Sequence, residues 1–250
     1  MRLLSILVTT GVLVVLGGCG GTDDAADGSI TVFAAASLTD AFDEVADAFE
    51  AADPDVDVSV DVSFAGSSSL REQVLEGAPA DVFASANVPN MDAVVEAGAA
   101  GSPRVFATNR LQIVVPAGNP AGIDGLDDFA DDELLVGLCA AEVPCGDFAR
   151  QALDRAGVRP APDTNEPDVR ALLTKVEAGE LDAGIVYVTD VASAGDRVEG
   201  IDIPDEHNVV ATYPIATLTG SGDPEAAAAF VAFVLGDGQD VLAEFGFGRP

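Results

Sequence analysis

Two serines stand where a β-branched run gives way to an amphipathic pattern: Ser37 in ITVFAAASLTD and Ser67 in VSVDVSFAGSSSL. A helix start leaves backbone N–H groups unpaired and carries the positive end of the helix dipole. A serine there can cap its own helix through its hydroxyl. Two such starts converging on one point would instead hold an anion. Two further helix starts, Val143-Pro144-Cys145-Gly146 and Glu166-Pro167-Asp168-Val169, carry small residues or a well-placed proline. No Arg or Lys sits at the two serine junctions, so the donors there would be neutral. Neutral donors suffice for a small, enclosed anion, because each charge-assisted bond is strong inside protein.

Other chemistries find less support. A serine-dependent hydrolase, the alternative from the enzyme class, needs a base beside its serine. The sole histidine, His207, lies far along the chain in the loop PDEHN, and no G-x-S-x-G or S-x-x-K occurs. H-E-x-x-H, Walker A and G-x-G-x-x-G stretches are also missing from the sequence. Catalysis and a resident cofactor are therefore not expected. A ferric-ion binder would want clustered tyrosines, and Tyr187 and Tyr213 are the only two. Asp40 reads as a first-turn carboxylate of its helix. Ser68 and Ser69 read as first-turn helix residues.

The elements that must position these residues alternate strand and helix. Ile30–Ala35 reads as a strand, Leu38–Ala52 as a helix with Leu38, Ala41, Phe42, Val45 and Phe49 on one face, and Val56–Phe64 as an alternating strand. Asp53-Pro54-Asp55 punctuates the first helix. A helix through Leu70, Val74 and Leu75, a short strand at Asp81–Ala84 and a helix at Met91–Ala99 follow. This is a βαβαβ order that favours a parallel sheet with right-handed crossovers. A strong strand at Arg110–Pro116 precedes a second series: strand Leu134–Leu138, helices Asp147–Ala156 and Val169–Ala178, and strand Ala183–Val188. A long strand at Asn208–Leu218 and helices at Pro224–Leu235 and Gln239–Phe245 complete the chain. The class is α/β: two lobes with parallel-rich sheets and a two-strand hinge. Lobe 1 is expected from residues 30–109 plus 217–250 and lobe 2 from 110–216. Ligands of open α/β sheets bind beyond the carboxyl ends of the strands, here the cleft between lobes.

Length and charge set further bounds. The 250 residues suffice for two such units. With 11 Lys+Arg against 43 Asp+Glu, the net charge of −32 excludes nucleic acid and anionic membrane surfaces as partners. The same composition fits a saline habitat or a GC-rich genome. Arg2 followed by the apolar run Leu3–Leu16 reads as a signal segment over residues 1–18, too short to span a membrane. Leu16-Gly17-Gly18-Cys19 resembles a lipobox, which makes Cys19 the expected lipidation site and residues 19–29 a flexible tether. The other reading is an ordinary signal peptide with an incidental Cys19. The lipobox reading makes the protein exported and held to the outer face of the cell membrane by lipid alone. Cys139 and Cys145, an even pair in an exported chain, are expected to form a disulfide, with two reduced thiols as the alternative. A metal site at these cysteines would need His or further Cys ligands that the neighbourhood lacks.

ITVFAAASLTDAF, SFAGSSSLREQVLEGAPADVFASA, the VPCG turn and DVRALLTKVEAGELDAGIVY, in this order, resemble the periplasmic molybdate-binding proteins of ABC importers across about residues 30–250. The resemblance implies a type II periplasmic-binding-protein fold. It implies a monomeric carrier that closes over molybdate or tungstate and delivers it to a permease driven by an ATPase. It also implies a ligand set: hydroxyl and N–H of Ser37 and Ser67, backbone N–H of Ala86, Cys145 and Val169, and the hydroxyl of Tyr187. Cys145 stands where the family often has Ala; a backbone donor tolerates that change. Tyr187 read by itself could equally be a core tyrosine. Sulfate and thiosulfate, also tetrahedral dianions, are the alternative ligands, whereas protonated phosphate would favour a carboxylate acceptor.

Overall fold

A computed structural model describes residues 28–52 and 58–250. The signal segment, Cys19, most of the tether and the Asp53-Pro54-Asp55 stop lie outside the described residues. Among the described residues nine strands form a continuous curled sheet: β1 (Gly28–Ala35), β2 (Val58–Ala65), β3 (Val82–Ala84), β4 (Arg104–Pro116), β5 (Val136–Cys139), β6 (Thr164–Glu166), β7 (Ala183–Tyr187), β8 (Val198–Asp202) and β9 (Val210–Thr217). Eight α-helices cover it: α1 (Thr39–Ala52), α2 (Ser67–Leu75), α3 (Val88–Glu96), α4 (Pro144–Ala156), α5 (Val169–Glu177), α6 (Val188–Ala194), α7 (Pro224–Leu235) and α8 (Gly238–Glu244).

The strand order is β2-β1-β3-β9-β4-β7-β5-β6, with β8 also on β4. Two parallel blocks, β2-β1-β3 and β7-β5-β6, flank the middle strands β9 and β4, which pair antiparallel. Strand β4 belongs to both halves. Its residues Arg104–Arg110 pair with β9, and Leu111–Val114 pair with β7. The chain therefore passes to the second half at Arg110–Leu111 and returns just before Val210. The double-strand hinge expected from the sequence would fall at these two passages.

Local sequence explains the elements. β2 lies at the sheet edge, so its valines turn inward while Ser59, Asp61 and Ser63 face water. β1 lies inside the sheet and is buried on both faces from Val32 to Ala35, hence the apolar run of those four residues. α1 buries Ala41, Phe42 and Val45, and Phe42 packs its ring on Phe106 and Phe230 at 5.6 and 6.2 Å. That contact brings α7 back to the first half, as the chain order predicts. α4 ends at Gly157, whose φ of 76° is the left-handed stop that glycine tolerates best.

Several expectations shift. Gly28 and Ser29 were placed in the tether but pair with Val58 and Ser59 in the sheet. β4 starts at Arg104 rather than Arg110, because the polar residues Thr108 and Asn109 in RVFATNR mask its continuity. β9 reaches Thr217 and pairs with β3, so it lies in the first half-sheet, although the sequence reading counted it to residue 216 in lobe 2. Helix α4 starts at Pro144, three residues before Asp147, since proline suits a first turn. Elements β6, β8 and α6 were not read at all. They are three to seven residues long and carry too few repeats for a periodic signal.

Candidate functional site

The six residues named by sequence converge. Ser37, Ser67, Ala86, Cys145, Val169 and Tyr187 all line one cavity where the two halves meet.

The first half supplies one wall. Ser37 sits in a 3₁₀ turn, Ala36–Leu38, between β1 and α1. Its Oγ lies 2.9 Å from the Tyr213 hydroxyl. Ser67 is the first residue of α2, after Gly66, and caps nothing with its side chain. Its Oγ instead accepts the Ala86 N–H at 3.0 Å. Neither hydroxyl is therefore a helix cap. Ala86 lines the cavity too, and its N–H points at Ser67 Oγ. The first helical bond of α2 runs from Leu70 N–H to the Gly66 carbonyl. The earlier N–H groups, Ser67 included, have no partner within the helix.

The second half supplies the opposite wall, mostly from backbone. Cys145 and Val169 occupy the first turns of α4 and α5. Asp168 caps α5 by accepting the Ala171 N–H at 2.9 Å, which leaves the Val169 N–H uncapped. The turn before α4 is held by a disulfide between Cys139 and Cys145, with Cα atoms 5.8 Å apart, inside the range a bridge accepts. Arg150 Nη1 ties the same turn by donating to the Cys139 and Gly146 carbonyls at 2.8 and 2.9 Å. Tyr187 ends β7. It is 1% exposed, and its hydroxyl has no hydrogen-bond partner. A buried, unmatched hydroxyl is costly, so an unpaired one lining a cavity marks where a ligand atom belongs.

The walls touch beside the cavity. A Cβ on Gly66 would lie 2.7 Å from the Pro167 carbonyl oxygen and 3.2 Å from Val143 Cγ1, both in the second half. Only glycine lets the halves approach so closely. Arg170 of α5 reaches across to Asp40 of α1 at 2.8 Å and also donates to Ser193 Oγ. Asp40 is thus both a first-turn carboxylate and one end of an ion pair between halves.

Electrostatics favour protons on the inner groups. Burial pushes the Tyr187 phenol up, with Tyr213 and Asp190 adding to the effect, so the hydroxyl stays a donor. Asp190 lies under this wall, 1% exposed. Its Oδ2 accepts the Tyr187 N–H at 3.0 Å while Oδ1 is unpartnered. Burial raises its carboxyl to about 7; the Tyr187 N–H and Arg170 oppose that rise, and Asp40 and Asp168 add to it. His207 does not line the cavity of the serines. It lines a separate hollow with Asp124, Asp127 and Asp202 and is half-buried rather than free in solvent. Among the described residues no group of three or more His, Cys, Asp and Glu side chains is placed to hold a metal ion.

Tyr213, Asp190, Arg150 and the Asp40–Arg170 pair escaped the sequence reading of the site. Their partners lie up to 176 residues away, and no local pattern signals such pairings.

A two-half α/β sheet, a double crossover and a donor-lined cavity between the halves define a two-lobed solute-binding protein. The family model for bacterial extracellular solute-binding proteins matches residues 30–248. The molybdate-binding protein ModA of Mycobacterium tuberculosis is 43% identical over 224 residues, covering 89% of this chain and 85% of that protein. The ModA of Escherichia coli is 36% identical, with 88% and 89% covered. In fold, the periplasmic molybdate-binding protein of Azotobacter vinelandii superposes with a TM-score of 0.77 at 18% identity, over 88% of this chain and 99% of that one. The chain belongs to the bacterial extracellular solute-binding proteins and, among them, to the ModA family of molybdate-binding proteins.

Proposed function

We propose that this chain captures molybdate or tungstate in the cavity between its halves and carries it to an ABC importer. One observation above all supports the reading: the Tyr187 hydroxyl is buried without a partner in a cavity that the hydroxyls of Ser37 and Ser67 and the helix starts at Cys145 and Val169 also line. A tetrahedral dianion gives each of those donors an oxygen. The donors belong to both halves, so the anion favours the closed arrangement over an open one, and that difference shifts the population. Ser37, Ser67, Cys145, Val169 and Tyr187 touch the anion, with Ala86 orienting Ser67. The halves act as lobes hinged at β4 and the return into β9.

Calorimetry on residues 20–250 with molybdate, tungstate, sulfate and phosphate tests the reading. Heat with molybdate and tungstate is expected; heat with sulfate alone contradicts it. The reading extends to delivery. Residues 1–18 direct export, Cys19 carries lipid at the outer face of the membrane, and the loaded monomer meets a permease with its ATPase. A Cys19→Ala precursor should leave the membrane fraction; persistence there contradicts the anchor.

A further inference from the structure

We propose that Arg170 and Asp40 form a latch between the halves that slows release of the bound oxyanion without touching it. The proposal rests on the oxyanion reading above. Neither residue lines the anion cavity. Both line a narrow crevice beside it, together with Ser193, Phe245 and Phe247, and Ser37 lines crevice and cavity alike. Each latch residue sits on a helix start that also carries a residue of the anion site. Asp40 lies in the first turn of α1, three residues after Ser37, and Arg170 follows Val169 in the first turn of α5. Whatever draws Ser37 and Val169 onto one anion therefore brings Asp40 to Arg170.

The guanidinium is aimed before the halves meet. Arg170 Nη1 donates to Ser193 Oγ at 2.9 Å, and that hydroxyl spends its own proton on the Asp190 carbonyl at 3.0 Å. Both partners belong to the second half, so the aim does not depend on closure. From there Nη1 reaches Asp40 Oδ2 at 2.8 Å, with Nη2 at 3.5 Å from Oδ1. The carboxylate it meets is one of several acids along α1. Burial raises the Asp43 carboxyl, and Asp40 and Asp47 add to that rise. A cation at Asp40 relieves this crowding, and it arrives only when the halves are together.

The latch is weak by itself. The two side chains are 32% and 40% exposed, so water and salt screen the pair. It cannot hold an empty cleft shut, but it adds to the hold of an anion already bound. The pair forms after the anion has entered, so its loss shows in release more than in capture.

The test chases isotopically labelled molybdate from wild type, Asp40→Asn, Arg170→Met and the double variant with excess unlabelled molybdate. Each single variant should release about three- to fivefold faster, the upper range for a partly exposed pair. The double variant should release no faster than the quicker single one, because the two residues make one contact. The gap between wild type and variants should close as salt is raised. The unliganded proteins should melt together, since the contact is one that closure makes. Release at the wild-type rate in both single variants, losses that multiply in the double variant, or a gap that high salt leaves intact overturns the latch. Slower capture with unchanged release overturns it too, since that marks steering of the anion. These outcomes leave the oxyanion reading standing. A wild type that retains no molybdate or tungstate overturns that reading and the latch with it.

Discussion

The two walls of the cavity are built on different principles. The first wall offers serine hydroxyls, each with one partner from elsewhere in the same half: the Tyr213 hydroxyl for Ser37 and the Ala86 N–H for Ser67. The second wall offers backbone N–H groups at two helix starts plus one phenol. Its precision comes from scaffolding: the Cys139–Cys145 bridge, the Arg150 clamp and the Asp168 cap. A side-chain donor can be lost by a single substitution. A backbone donor survives substitution but depends on the turn that carries it. The first wall should therefore be sensitive to point changes at its serines. The second should tolerate changes at Cys145 and Val169 and respond to whatever moves their loops.

The largest expected effect comes from keeping the walls apart. Gly66→Val places side-chain atoms where a Cβ already meets the Pro167 carbonyl at 2.7 Å. Oxyanion affinity should fall by about 3 kcal/mol, the upper range for overpacking, while the unliganded protein keeps its melting temperature because the halves can part. Small-angle scattering should show no compaction on adding molybdate. Unchanged binding would mean that closure at Gly66 is not required.

Removal of single donors comes next. Ser37→Ala and Ser67→Ala should each weaken molybdate binding by roughly 1.5–3 kcal/mol, as for hydrogen bonds to charged groups. Tyr187→Phe should fall at the lower end of that range, about 1.5 kcal/mol, because it also removes a hydroxyl left unmatched in the empty site. Titration calorimetry ranks the three. A Tyr187→Phe variant of normal affinity would reduce that residue to a core tyrosine.

Asp190 sharpens the comparison from below the second wall. Its folded value, about 7, lies above the ordinary 3.8, chiefly through burial. A raised carboxyl contributes stability that is fully present below about pH 4 and is lost as pH rises through 7. Between pH 5.5 and 8 this group alone should remove about 2 kcal/mol of stability. Asp190→Asn keeps an acceptor for the Tyr187 N–H and should flatten that slope in thermal melts. An equally steep slope in the variant would show that Asp190 is already ionised in the folded protein.

How far the sequence could be read follows the same division. Ser37 and Ser67 were visible because a hydroxyl at a strand-to-helix junction is a side-chain feature. Cys145 and Val169 contribute only N–H groups, which every non-proline residue has, so they entered through the family resemblance and not through their own chemistry. Ala86 entered the same way, and its N–H points at Ser67 Oγ. The two long strands β4 and β9 were visible, but their partners were not. Pairing is set by tertiary contacts, which is why β9 moved to the first half-sheet. Tyr213 figured only as part of a strand and as one of two tyrosines too few for a ferric-ion site, since its contact with Ser37 spans 176 residues. The net charge of −32 gave no hint of an anion site. Local dipoles and a screened distant field make the two compatible.

The most direct test of the account is the position of the anion itself. Crystals grown with molybdate should show one anomalous peak at the molybdenum edge. That peak should lie between the walls, with Ser37 Oγ, Ser67 Oγ and Tyr187 Oη and the N–H groups of Cys145 and Val169 all within hydrogen-bond distance of its oxygens. A peak held by donors of one wall only, or lying outside the cavity, would contradict the claim that the two halves close on an oxyanion.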